Sequence, residues 1–214
     1  MEIIKFEYYN QDLLFENLRK VHLKNQPDKK IYSNSEFELV EKAPEKMVFP
    51  QYYVLEKDLD EITQCRQALL EFGVDIFKLK GFVRVYSFNE KGQQQVFDVL
   101  PPVMEISEAD GGIPLLNDGM HRVYLAREAG SKINVVLASK VAPDYPYYAF
   151  PNREGWNNLQ KCKEVPDIKK NYRQTDYKAL FRDFNSAFIN VTQPRANKKN
   201  KTLKVQGEKV LVHG

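Results

Sequence analysis

Cysteine is scarce in this chain: Cys65 and Cys162 are the only two in 214 residues. They are too few for a disulfide framework and lack the CxxC spacing of a metal or redox motif. Cys65 falls on an apolar helical stripe and reads as core filler rather than a nucleophile. The three histidines, His22, His121 and His213, are too scattered for a zinc site, so no metal centre is expected. No apolar run approaches the roughly 20 residues needed to span a bilayer. The acidic, aromatic start MEIIKFEYYNQD is unlike a secretory signal, and a cytoplasmic setting is expected. A Gly-x-Ser-x-Gly elbow and a Gly-x-x-x-x-Gly-Lys loop are also missing.

What is present is the composition of a globular chain with one sizeable core, 43% apolar and 29% charged. The net charge of +3 is unevenly spread. From Pro194 onward six Lys or Arg face one Glu, a balance of +5, which leaves about −2 for the preceding residues. Such a tail is expected to be flexible and solubilising, with contact to a nucleic-acid backbone as the alternative.

Asn10 precedes Leu14, Leu18 and Val21 at helical spacing, predicting a capped helix over Asn10–Leu23. The polar stretch Lys24–Ser35 reads as a loop, Phe37–Val40 as a short strand and Val48–Leu55 as another. Asp58-x-x-Glu61 has the form of a capping box at the head of a stripe of Leu59, Ile62, Cys65, Leu69 and Phe72. Gly73 closes that helix. Phe82–Phe88 and Gln94–Val99 form a hairpin, and Val103–Ile106 is expected to pair with the strand ending at Asp118. A helix over Val123–Ala129 stops at Gly130, and Ile133–Ala138 is a short apolar strand. The aromatic segment Tyr145–Pro151 is too rich in proline for a helix and is read as packing, with a stacking or lid role as the alternative. Thr175 is read as the cap of a last helix bearing Tyr177, Leu180, Phe181, Phe184 and Phe188. Strands with intercalated helices predict an α/β or α+β fold. The expected division is an extension over 1–47, a core over 48–142, an aromatic loop and helix over 143–193 and the basic tail over 194–214.

Asp118-Gly119-Met120-His121-Arg122 stands out, because it joins an apolar strand to a helix. A helix start leaves backbone N–H groups without partners and carries the positive end of the dipole, so it favours an anion. His121 and Arg122 add donors there, and two cations at that end are best explained by a bound anion. Asp118 reads equally as an N-cap or as a group that orients His121 or a metal. Gly119 reads as a turn glycine or as backbone left open for a phosphate. Glu105 is the leading general base if its strand register turns it toward the loop, and Glu56, Asp58 and Glu61 compete for that role.

Taken with the preceding strands, these residues resemble the ParB/sulfiredoxin superfamily. The resemblance is carried by Leu100-Pro101-Pro102-Val103-Met104-Glu105-Ile106, Gly111-Gly112 and Asp118-Gly119-Met120-His121-Arg122-Val123-Tyr124-Leu125-Ala126. Sulfiredoxins show a similar proline-led strand, a glycine turn and a Gly-Cys-His-Arg helix start; partition proteins place Gly-Glu-Arg-Arg there. Free serine kinases and DGQHR-type domains carry close relatives of Asp-Gly-x-His-Arg. The resemblance implies a small mixed sheet with packed helices. It also implies ATP or ADP with Mg²⁺, its phosphates held by Gly119, Met120, His121 and Arg122. Asp118, His121 and Glu105 would be the catalytic residues of phosphate transfer to a small hydroxyl compound. A ParB-like DNA-binding protein, nuclease or NTPase is the alternative, and a non-catalytic nucleotide sensor the third. Two departures matter. Met120 occupies the place of the sulfiredoxin cysteine and cannot form a thiolate, and no helix-turn-helix follows the core at the spacing of the partition proteins.

Overall fold

The computed structural model describes residues 1–88 and 92–191; the basic tail therefore lies outside the described residues, as does most of the hairpin turn. The chain runs β1 (Glu2–Tyr9), α1 (Gln11–Leu18), β2 (His22–Leu23), β3 (Gln26–Lys30), β4 (Glu36–Lys42), β5 (Tyr53–Leu55) and α2 (Glu56–Leu70). It continues through β6 (Phe82–Phe88), β7 (Gln94–Val99), β8 (Val103–Ser107), β9 (Ile113–Asp118), α3 (Met120–Glu128), β10 (Ile133–Ser139), β11 (Gln160–Cys162) and β12 (Arg182–Asp183). The main sheets are β1-β6-β7 and β4-β10-β8-β9, with β8 and β10 parallel and the other pairs antiparallel. The smaller sheets are β11-β5 and β12-β2-β3. This is a mixed α+β fold. Residues 1–47 supply β1 and β4 to the two main sheets rather than standing apart from them. No helix among the described residues is long and apolar enough to cross a membrane.

Local chemistry accounts for much of this. Asn10 caps α1, its side chain accepting from the Leu13 N–H at 3.0 Å. In α2, Leu59, Cys65 and Leu69 are buried, and burial pushes the Cys65 thiol up to about 12, as suits a core residue. The end of α2 is a Schellman turn: Val74 N–H donates to the Leu69 carbonyl and Gly73 N–H to that of Leu70, with Gly73 at φ +76°.

Four expectations are corrected. The first helix ends at Leu18; Val21 is buried but belongs to a turn that reverses the chain into β2 and β3, so Lys24–Ser35 is not all loop. Of Val48–Leu55 only Tyr53–Leu55 is a strand, because Val48 and Gln51 make isolated bridges around Pro50. Leu55 occupies the N-cap of α2, which has no side-chain cap, so Asp58 and Glu61 lie inside the helix; Phe72 is 54% exposed beyond its end. The Thr175 helix does not form. Short 3-10 turns at Tyr177–Leu180 and Phe184–Ser186 flank β12, while Leu180, Phe184 and Phe188 are buried as their spacing suggested.

Candidate functional site

β9 runs into α3 through Gly119, which sits at φ +93° in the left-handed region. A Cβ there would lie 2.7 Å from Pro102 Cβ and 2.8 Å from Arg122 Nη2. Glycine is thus required by the turn and by the packing of Pro102 and Arg122 against it. Asp118 does not cap the helix. Its Oδ2 accepts from Arg122 Nη2 at 2.6 Å, one turn further on. Met120 points into the apolar core and is 3% exposed, so only its backbone faces the loop.

His121 reaches across to α2. Its Nε2 accepts from the Leu55 N–H at 3.0 Å, whereas Asp58 Oδ2 lies 3.6 Å away, beyond hydrogen-bond length. A ring nitrogen that accepts from an amide carries no proton, so the ring is neutral with its proton on Nδ1. Burial depresses the His121 pKa below the ordinary 6.5, with Arg122 pushing the same way and Asp58 and Asp118 opposing. The expectation of two unpaired cations is therefore corrected: His121 is neutral and Arg122 is balanced by Asp118.

What remains is a set of donors. α2 and α3 both begin without a side-chain cap, in contrast to α1, and their starts are joined by the Leu55–His121 bond. Two positive dipole ends converge there. Among the described residues no acceptor is found for the N–H groups of Met120, His121 and Arg122. Arg122 is 7% exposed and its Nε is a buried donor without a partner. Buried polar groups are ordinarily hydrogen-bonded, so this leftover donor makes the loop a candidate point of contact for an acceptor.

Glu105 is elsewhere. It is 2% exposed, and its carboxylate accepts from Arg182 Nη2 at 2.8 Å and Nε at 3.2 Å, from Tyr32 Oη at 2.9 Å and from Asn117 Nδ2 at 3.0 Å. The β8–β9 register sets Glu105 opposite Leu115 and turns it into this buried network. With its oxygens occupied it holds structure and is not available as a base; among the competing carboxylates it is Asp58 that approaches His121. The aromatic segment is packed, with Tyr147 fully buried, while Phe150 helps line a cavity of about 580 Å³ toward the Ile113 end of β9, away from the loop. Leu55 and Pro102 complete the loop's surroundings. Pro102 belongs to the proline-led strand that carried the resemblance, whereas Leu55 has no reactive chemistry and no sequence signal singled it out.

The fold and loop define an α+β domain in which two helix starts without side-chain caps meet. A family model for the ParB CE domain matches residues 13–160, more than half of the chain, and the chain belongs to this ParB-like family. It matches no curated protein and no solved structure.

Proposed function

We propose that this protein binds a nucleotide through its phosphates at the α3 start and acts on the terminal phosphoryl group, in the manner of the free serine kinases that its loop resembles. The observation that carries the reading is the buried, unpartnered Arg122 Nε beside the open amides of Met120, His121 and Arg122. Phosphate oxygens are the acceptors that such a donor set suits best. Gly119 lets the turn close, Asp118 orients the Arg122 guanidinium, and His121 adds a neutral Nδ1–H donor. Asp58, whose Oδ2 lies 3.6 Å from His121 Nε2, is the candidate to accept a hydroxyl proton from the acceptor substrate, since Asp118 is paired with Arg122. Among the described residues no cluster of three or more His, Cys, Asp or Glu is placed to hold a metal. These residues do not fit a dedicated metal site, and Mg²⁺ would enter with the nucleotide, keeping waters and phosphate oxygens as ligands.

A thermal-unfolding screen with ATP, ADP, CTP and GTP in the presence of Mg²⁺ tests this. A nucleotide at a hundredfold excess over its Kd should add about 2.7 kcal/mol of stability. Arg122→Ala should lose that gain, and Asp58→Asn should keep binding while losing turnover. If none of the four nucleotides raises the wild-type midpoint, the reading fails.

A further inference from the structure

β1 is an edge strand of its sheet: β6 lies on one side and, among the described residues, no strand pairs with the other. Other edges are covered or charged. β7 is overlaid by the segment after β12, with Asp98 N–H donating to the Ile189 carbonyl at 2.7 Å and Asn190 Nδ2 to the Val96 carbonyl at 2.8 Å. β9 is met by Val48, whose carbonyl accepts from Leu116 N–H at 2.8 Å. β4 carries Glu36, Glu38, Glu41 and Lys42 and no exposed large apolar side chain.

β1 instead exposes Ile4 at 40% and Tyr8 at 50%. With Met1, Leu70 and Phe72 these make five of the eight exposed large apolar side chains among the described residues, all on β1, at the residue before it or at or just beyond the end of α2. Phe72 packs on Phe6 with ring centroids 5.5 Å apart, which joins the strand and the end of α2 into one surface. An unpaired edge beside an apolar patch is a template for a further strand.

We propose that β1 pairs antiparallel with β1 of a second copy of this chain, joining two three-stranded sheets into one. The strand reads Glu2-Ile3-Ile4-Lys5-Phe6-Glu7-Tyr8-Tyr9. A two-fold axis at Phe6 sets Phe6 beside its counterpart, Lys5 opposite Glu7 of the second copy and Ile4 opposite Tyr8. Charge matches charge and apolar matches apolar, twice over by symmetry. The contact is isologous and closed, so it yields a dimer rather than a fibre. The charge on Lys5 blunts this edge toward unrelated apolar strands. Lys5 already meets Glu7 of its own strand at 2.9 Å, and an antiparallel second β1 sets a further Glu7 opposite it, so that lysine and glutamate alternate across the seam.

Sedimentation velocity of the full chain, from low to hundreds of micromolar, tests the proposal. The wild type should shift to a dimer as concentration rises. Lys5→Glu and Glu7→Lys should each weaken the dimer roughly tenfold or more by setting like charges opposite one another. The double swap Lys5→Glu with Glu7→Lys should recover it. Ile4→Lys, at an exposed position, serves as a second disrupting variant should either charge change prevent folding. A wild type that stays monomeric throughout, or a dimer indifferent to all these changes, overturns the proposal; so does a double swap no better than the single ones.

Discussion

Gly119 is held at φ +93°, with Pro102 and Arg122 in the space that a Cβ would need. Gly119→Ala should therefore strain the turn and displace the guanidinium together, lowering stability by about 1–3 kcal/mol. A urea midpoint unchanged by that substitution would show that the turn relaxes freely. His121 makes a different prediction, about pH. Burial holds its folded-state pKa below the ordinary 6.5, so as pH falls through that value the unfolded chain takes up the proton first. The His121 contribution is complete above the unfolded pKa and is lost as pH drops toward the lower folded one. Between about pH 7 and about pH 5 the wild-type urea midpoint should fall more steeply than that of His121→Gln. Parallel slopes would mean that burial does not hold the ring neutral.

The segment around β12 shows what decides between a helix and an extended path. Its apolar spacing suits a helix, yet Arg182 pairs in β12 with Leu23, and its guanidinium donates to the carbonyls of Tyr145, Pro146 and Leu180 as well as to Glu105. Burial lowers the Arg182 pKa, but Glu105, Tyr32 and Tyr147 together more than offset this, so the net shift is upward and the guanidinium stays charged. A buried ion pair is costly to break from one side, because the remaining charge is left without a partner. Arg182→Ala should cost about 3–5 kcal/mol in denaturant unfolding, and adding Glu105→Gln should restore part of it. If the double variant is no more stable than Arg182→Ala, the loss lies in the carbonyl contacts and not in the stranded carboxylate.

Across the molecule, the functional reading depends on two helix starts that meet although they are far apart in the chain. Leu55 and His121 are separated by 66 positions, and Glu105 and Arg182 by 77. The Asp118–Arg122 loop, the β8–β9 pair, the glycine stops of α2 and α3 and the mixed architecture were legible from the residues alone. Each rests on turn chemistry or periodicity within a few neighbouring positions, where the backbone's conformational preferences dominate. The Asp118–Arg122 pair, four residues apart, was open to reading from its spacing, whereas the neutrality of His121 and the burial of Glu105 were not legible. A strand's register sends a side chain to one face or the other on a shift of one residue, and only packing against distant segments settles which. That Leu55 would supply the amide opposite His121, and Arg182 the charge opposite Glu105, depends on contacts that form when the whole chain closes. Side-chain type and spacing carry no record of them.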